Sequence, residues 1–153
     1  MSSPGRSLVA HLVRRAVGSA SNAPASESQR DLVRAVLTAT EFEMWERMPG
    51  RDQCHSVQVL ARFDVLVPGA PRCARAAALL HDVGKLESGL GWTMRIVATV
   101  VGPRGKRFAA YHDHERIGAD MLRSVSEPET VALVAGQGGD ERVREALRAA
   151  DDL

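Results

Sequence analysis

Hydrophobic residues recur at the three- and four-residue spacing of a helix along most of the chain, and no stretch forms a convincing strand. Ser26 with Gln29 makes a capping box, which predicts a helix that begins there and continues to Pro49. A second helix is predicted from about Pro49 to Val67. The apolar residues of the first of these helices are Leu32, Val36, Leu37, Phe42 and Trp45.

Turn signals separate the helices that follow. The sequence "VPGAP" predicts a turn, and Pro71 suits the first position of an alanine-rich helix that continues to His81. The stretch "WTMRIVATVV" is rich in β-branched residues, but we interpret it as a helix because no partner strand is apparent. Residues 106–125 again have a helical pattern.

The C-terminal region is predicted to hold two further helices. Ser126 with Glu129 predicts a capping box for a short helix over "TVALVA", and the glycines of "GQGG" end that helix. Asp140 is predicted to cap the last helix. The fold class is therefore predicted to be all-α, a bundle of roughly six to eight helices.

The N-terminal region is predicted to lie apart from this bundle. Residues 1–25 are interpreted as a basic amphipathic helix followed by a flexible linker, because residues 18–28 are small, polar and broken by Pro24. The helical domain is predicted to span residues 26–153. Its length suits a single domain with one core.

The charge and cysteine content exclude several classes of partner. With 20 Lys and Arg against 19 Asp and Glu, the formal charge is +1, so a nucleic acid polymer is not an expected partner. No apolar stretch approaches the ~20 residues of a membrane span. Cys54 and Cys73 are interpreted as small buried residues in a reducing cytoplasm. The sequence leaves open whether two copies form a homodimer.

Helical spacing predicts which histidines and acids point inward. His55 shares the apolar face of its helix with Val59 and Phe63. His81 follows a face of small alanines, and Asp82 can converge on the same ion because Gly84 lets the backbone turn away beyond the helix end.

The same test applies to the two later helices. His114 aligns with apolar residues such as Ile117 and Met121, whereas His112 lies on the wet face. Asp151 continues the apolar face of the last helix, whereas Asp152 lies four residues after Arg148 and can pair with it.

Several imidazoles and carboxylates are thus predicted to point into one core. Burying such groups without partners costs kilocalories each, and a divalent cation would satisfy them. Mixed imidazole and carboxylate ligation suits Mn, Fe, Ni, Co or Zn better than Mg or Ca. The alternative is that each residue is a hydrogen-bonded core residue or a helix cap.

The order of these residues resembles the HD-domain superfamily of metal-dependent phosphohydrolases, over about residues 41 to 153. The resemblance lies in His55, in "LLHDVGK" with His81 and Asp82, in His114 of "HERIGADML", and in Asp151 of "RAADDL". Residues 40–56 resemble the segment that precedes the first ligand in a group of small stand-alone bacterial HD proteins.

The resemblance implies roles for these residues. His55, His81, Asp82 and Asp151 would hold one divalent metal, and the metal with Asp82 would position a water that attacks phosphorus. Lys85 would supply a positive charge to a substrate phosphate, with a solvated surface lysine as the alternative.

Departures from the family pattern narrow the expectation. The chain lacks the histidines that usually follow in proteins with two metals, so one ion is expected, and His114 would contact a second metal or the phosphate. The sequence "HDVGKLE" differs from the His-Asp-x-x-Glu-Asp motif of the alarmone hydrolases. No GYP signature of cyclic-di-GMP hydrolases is present.

The segment before His55 supplies further candidates. Arg51 is a candidate substrate-binding residue, and its neighbours could line the pocket mouth with it; the equal alternative is that Trp45 is a core residue and the arginines are solvated. Those neighbours are Glu41, Trp45, Arg47 and Asp52. A loop cluster of Arg104, Lys106 and Arg107 is more simply a solvated loop.

Three functions agree with the sequence. The first is a cytoplasmic phosphohydrolase that acts on a nucleotide or another small phosphoester, with Asp82 and Lys85 as catalytic residues. The second is a non-catalytic HD module that binds metal or nucleotide and regulates a protein partner. The third is a structural helical domain without metal.

Overall fold

Helices account for the regular structure of residues 23–86 and 115–152, which are the residues that the computed structural model describes. These ranges hold no strand, and the predicted all-α fold is confirmed. The helices are α1 Glu27–Arg34, α2 Ala39–Glu46, α3 Gly50–Leu66, α4 Arg72–Leu80, a 3-10 helix Val83–Leu86, α5 at residues 115–122, α6 Pro128–Val134 and α7 Glu141–Asp152. None of the helices in this part of the chain is long and apolar enough to cross a membrane.

Several predictions concern residues outside these ranges. They are the N-terminal helix, the helix over "WTMRIVATVV", the cluster at residues 104–107, and the placement of His112 and His114. The division of the chain at residue 26 stays a prediction.

The region before α3 contains two helices, so the prediction of a single helix up to Pro49 is wrong. α1 begins with the predicted capping box, in which Gln29 N donates to Ser26 Oγ and Ser26 N donates to Gln29 Oε1. A second box begins α2, with Thr38 N donating to Glu41 Oε2 at 2.8 Å. Because a capping residue has extended backbone, Thr38 marks the end of one helix and the start of another.

The core is built around α3 and α4. α3 packs against α4 and α7, and α4 also packs against α6. Small side chains on α4 let its neighbours approach closely, and larger ones from α2 and α3, among them Trp45 and Phe63, fill the remaining space. The fully buried alanines of α4 are Ala74, Ala76, Ala77 and Ala78.

The chain beyond α4 is held by a close approach to α5. Gly84 is buried, and a Cβ placed on Gly118 would lie only 3.1 Å from Gly84 N. Gly84 does not have a positive φ angle. The lack of a side chain at Gly84 and Gly118 therefore allows two backbones to pack closely. From the sequence, Gly84 was instead expected to clear space for an ion.

The last two helices begin differently from one another. The predicted capping box of Ser126 and Glu129 is wrong, because Glu127 is the N-cap of α6, makes no side-chain cap, and Ser126 Oγ donates to Glu41 instead. The predicted cap of α7 is confirmed, since Val143 N donates to Asp140 Oδ1 at 2.9 Å.

Candidate metal centre

Three helices bring four predicted ligands together. His55 lies in the first half of α3, His81 and Asp82 follow directly after α4, and Asp151 lies near the end of α7. Because α3 packs against both α4 and α7, residues 96 positions apart in the sequence come into contact. The three helix faces that sequence spacing selected as inward therefore meet.

Asp151 lies between the two imidazoles. His55 Nε2 donates to Asp151 Oδ1 at 2.8 Å, and His81 Nε2 lies 3.2 Å from the same oxygen. The two rings pack edge to face with their centroids 5.6 Å apart. The side chains of His55 and Asp151 are both half-buried, with 34% and 28% of their surface exposed.

Asp82 completes the cluster on the side of α4. Its Oδ2 lies 3.6 Å from His81 Nε2. One donor atom from each of His55, His81 and Asp82 lies within 4.8 Å of the other two. Donors that bind one ion at about 2.0–2.2 Å lie roughly 3 to 3.6 Å apart, so the distance between His81 and Asp82 fits an edge of a metal coordination shell, and the three donors together need only a small contraction to do so.

His81 has one ring nitrogen satisfied and one unsatisfied. The carbonyl oxygen of Ala78 lies 2.8 Å from Nδ1 and can only accept, so Nδ1 carries the proton of the neutral ring. The opposite nitrogen, Nε2, is buried and makes no hydrogen bond, because its approach to Asp151 does not have hydrogen-bond geometry. A backbone carbonyl that orients an imidazole in this way is typical of a histidine that binds a metal.

The charges of the cluster are strongly coupled. The hydrogen bond from His55 and the proximity of His81 hold the pKa of Asp151 far below its usual value. Burial alone would raise the pKa of Asp82, but His81 and Lys85 outweigh it and lower that pKa. Burial opposes protonation of His81, yet the carboxylates of Asp151 and Asp82 raise its pKa. Both carboxylates are therefore ionised at neutral pH, as metal ligands must be.

Lys85 lies against this cluster, one turn after Asp82. Its Nζ donates to Asp82 Oδ2, and 29% of its side chain is exposed. Lys85 is therefore an ion-paired residue at the edge of the cluster. It is not the solvated surface lysine that was the alternative interpretation.

A cavity of about 200 Å³ opens beside the cluster. Its charged and polar wall is formed by the end of α4 and by α7, while α3, α4 and α6 supply an apolar wall. The charged lining residues are His81, Asp82, Lys85, Glu115, Arg144, Arg148 and Asp151. The apolar ones include Val59, Ala77, Leu133 and Leu147.

Three residues expected at the pocket mouth are instead buried. Trp45 is fully buried, and its Nε1 donates to Ser56 Oγ at 2.8 Å. Glu41 is also fully buried, and Asp52 is 8% exposed. The prediction that these three line the mouth is wrong, because α2, which carries Glu41 and Trp45, and the first turn of α3, which carries Asp52, turn these side chains into the interior.

Two other candidates have a different status. Arg51 lies one turn before His55 on α3 and is not among the residues that line the cavity. Its role in substrate binding stays a prediction, as does the role of His114 as a second-metal or phosphate contact.

The arginines of α7 were not predicted from the sequence as residues of the site. Arg144 and Arg148 line the cavity, and no ion pair joins Arg148 to Asp152, contrary to the expected pairing. The signal was present, since Arg144, Arg148 and Asp151 follow the i, i+4, i+7 spacing of one helix face.

The fold and the cluster together define a helical domain that can hold one ion between imidazole and carboxylate groups. A family model described as "HD domain" matches residues 54–150, which is more than half of the chain. The chain therefore belongs to the HD-domain family, whose superfamily is one of metal-dependent phosphohydrolases. No curated protein and no solved structure matched the chain.

Proposed function

We propose that this protein is a metal-dependent phosphohydrolase that acts on a small phosphorylated substrate, with a nucleotide as the favoured class. The observation that carries the proposal is the unsatisfied Nε2 of His81, which is buried beside two carboxylates and a second imidazole. A buried ring nitrogen that has no hydrogen-bond partner beside two carboxylates is satisfied when it releases its proton and binds a metal ion.

The proposed ligands are His55, His81, Asp82 and Asp151. Two imidazole nitrogens with two carboxylates suit Mn, Fe, Ni, Co or Zn better than Mg. Ligation through His55 Nε2 would require the proton that this nitrogen donates to Asp151 to leave Nε2, because an imidazole binds a metal through the lone pair of an unprotonated nitrogen. Four protein ligands around one ion support a mononuclear site.

The residues around the ion have separate proposed roles. When bound, the ion supplies Lewis acidity and an activated water for attack on phosphorus. Asp82 orients the attacking water through a carboxylate oxygen, and Lys85 places a positive charge beside a phosphate oxygen. Val59 and Leu133 supply part of the apolar wall of the cavity beside the proposed ion.

Metal content and turnover test the proposal together. We expect about one equivalent of a transition metal in the purified protein, and hydrolysis of at least one member of a panel of nucleoside mono-, di- and triphosphates and p-nitrophenyl phosphate. Asp82→Ala should abolish turnover, and Asp120→Ala should not, because Asp120 is exposed on α5 and does not line the cavity.

The other outcomes identify the competing functions. Stoichiometric metal without turnover on the whole panel would favour the non-catalytic regulatory module. Absence of bound metal, even after incubation with Mn, Fe, Ni, Co or Zn, would favour the structural helical domain and contradict the proposal.

The proposal includes a cytoplasmic location, supported by Cys54 and Cys73, which are free thiols. A homodimer stays an open prediction.

A further inference from the structure

Two arginines on α7 form a cationic face that leads away from the proposed ion. Arg148 lies three residues before Asp151, and Arg144 lies seven residues before it, so all three lie on one side of the helix. At 1.5 Å of rise per residue, the two arginines are about 4.5 and 10.5 Å along the axis from the ligand position. Both line the cavity that contains Asp82 and Lys85.

The guanidinium group of Arg148 is available to bind a ligand. It is exposed, and it makes no hydrogen bond or ion pair with another residue in the described ranges. Asp152, which lies four residues after Arg148 on the helix, does not form an ion pair with Arg148. Its guanidinium therefore has five N–H donors available to an anion in the cavity.

Arg144 is held in place by the loop that precedes α7. Its Nη1 donates to the carbonyl oxygens of Gly138 and Gly139 at 2.7 and 3.0 Å. Three further N–H groups of its guanidinium have no acceptor among the described residues. The backbone of the glycine loop thus fixes the position of this charge at the cavity wall.

The charges of the cavity balance only until an ion binds. Lys85, Arg144 and Arg148 are matched in number by Asp82, Asp151 and Glu115. A divalent ion on Asp82 and Asp151 would leave the lining with an excess of two positive charges. Two of the three cations of the lining, Arg144 and Arg148, are on α7, and the remaining acid, Glu115, has its carboxylate against Gly136.

We propose that the substrate carries at least two phosphate groups, one beside the ion and Lys85 and the second bound by Arg148 and Arg144. This inference rests on the proposed function and names its substrate class. Eight N–H donors on two guanidinium groups exceed what the two oxygens of a carboxylate accept, whereas a phosphate offers three oxygens in the geometry that arginine matches. The phosphates could be adjacent, as in a diphosphate, or separated by a carbon chain.

Calorimetric titration with three anions tests the inference. The probes are inorganic phosphate, pyrophosphate and fructose 1,6-bisphosphate, each added to the metal-loaded and to the metal-free protein, with metal content measured again afterwards. We expect pyrophosphate or the bisphosphate to bind more tightly than phosphate. Which of the two binds more tightly shows whether the two phosphates of the substrate are adjacent or separated.

Variants of α7 distinguish a specific second phosphate site from a nonspecific effect of the positive charge of the helix. Arg148→Ala should weaken the tighter of the two anions about tenfold or more and change phosphate binding less than twofold, because a lost charge-assisted hydrogen bond has about that effect. Arg148→Lys should recover part of the loss. Arg142→Ala removes an exposed arginine of the same helix that does not line the cavity, and should change none of the affinities.

Three results would overturn the inference. They are equal binding of phosphate and the two larger anions, equal weakening of all three by Arg148→Ala, and an equal loss in Arg142→Ala. Failure of the proposed function has a different signature, namely no bound metal or no turnover, and the titration of the metal-free protein still tests Arg148 in that case.

Discussion

Two acidic residues, Glu41 and Asp82, are both buried but have different partners. The carboxylate of Glu41 accepts hydrogen bonds from Thr38 N, from Arg72 Nη1 at 2.7 Å and from Ser126 Oγ. Two neutral donors and one charged donor therefore satisfy it. Asp82 has Lys85 on one oxygen and lies beside the unsatisfied nitrogen of His81. Satisfied polar groups stabilise the core, whereas the unsatisfied nitrogen identifies the candidate site.

Replacing Glu41 should therefore affect stability in a pH-dependent way. Burial would raise the pKa of Glu41, but the bonds from Arg72 and Ser126 lower it below its ordinary value of 4.5. The stabilisation is fully present above the unfolded-state pKa and is lost as the pH falls through the lower folded-state pKa. We expect Glu41→Gln to reduce the free energy of unfolding by about 1–3 kcal/mol at pH 7.

Urea unfolding at pH 7 and at pH 3 measures this effect. The difference between wild type and Glu41→Gln should shrink at the lower pH, because pH 3 lies below the ordinary pKa of 4.5, so the side chain takes up a proton on unfolding and its charged form stabilises the native state less. Glu43→Gln, an exposed change on the same helix, should be close to wild type at both values. An equal destabilisation at pH 7 and pH 3 would contradict the assigned role of the charge.

At the scale of elements, the loop between α6 and α7 determines how α7 approaches the site. Gly136, Gly138 and Gly139 all have positive φ angles, which end α6 and turn the chain into α7. The carbonyls of Gly138 and Gly139 then hold Arg144. The loop therefore supports both the helix that carries Asp151 and the cationic wall of the cavity.

Alanine substitution at two glycines separates backbone strain from crowding in this loop. Gly138 has φ +71°, and a Cβ there would lie 2.8 Å from Ala132 Cβ. Gly69 has φ +73° with nothing within 4 Å, so it is a matched control. We expect Gly69→Ala to cost about 1–2 kcal/mol and Gly138→Ala about 1–3 kcal/mol more, as measured by urea unfolding. Equal losses would show that the loop moves to relieve the contact.

For the whole molecule, the proposed ion would connect distant parts of the chain. Its ligands lie on α3, after α4 and on α7, and His55 and Asp151 are separated by 96 residues. The unfolded chain does not hold these groups together, so a metal that binds the native state stabilises it.

Thermal unfolding with and without metal tests this linkage. A metal at 100 times its dissociation constant adds about 2.7 kcal/mol, which should raise the Tm of a chain of this size by several degrees. Asp151→Asn should lose most of that increase, and Asp152→Asn should keep it, because Asp152 is exposed and does not line the cavity. An increase of the same size in both variants would exclude Asp151 as a ligand.

Much of the local structure was predictable because its causes are local. Capping at Ser26 and Asp140 and the turn before α4 depend on neighbouring residues. Helical periodicity also placed His55, His81 and Asp151 on inward faces, which meet as expected. The break between α1 and α2 was equally local, since Thr38 and Glu41 form a capping box, although it was not predicted from the sequence.

The sequence by itself determined the helical class, the inward faces and, through resemblance, the ligand set proposed for the site. Only the tertiary structure decided that Trp45 and Glu41 are buried, that Ser126 bonds to Glu41 instead of capping α6, and that Arg148 faces the cavity. The physical reason is that a helix face is defined by spacing along the chain, whereas the partner of a polar group depends on which distant helix packs against it.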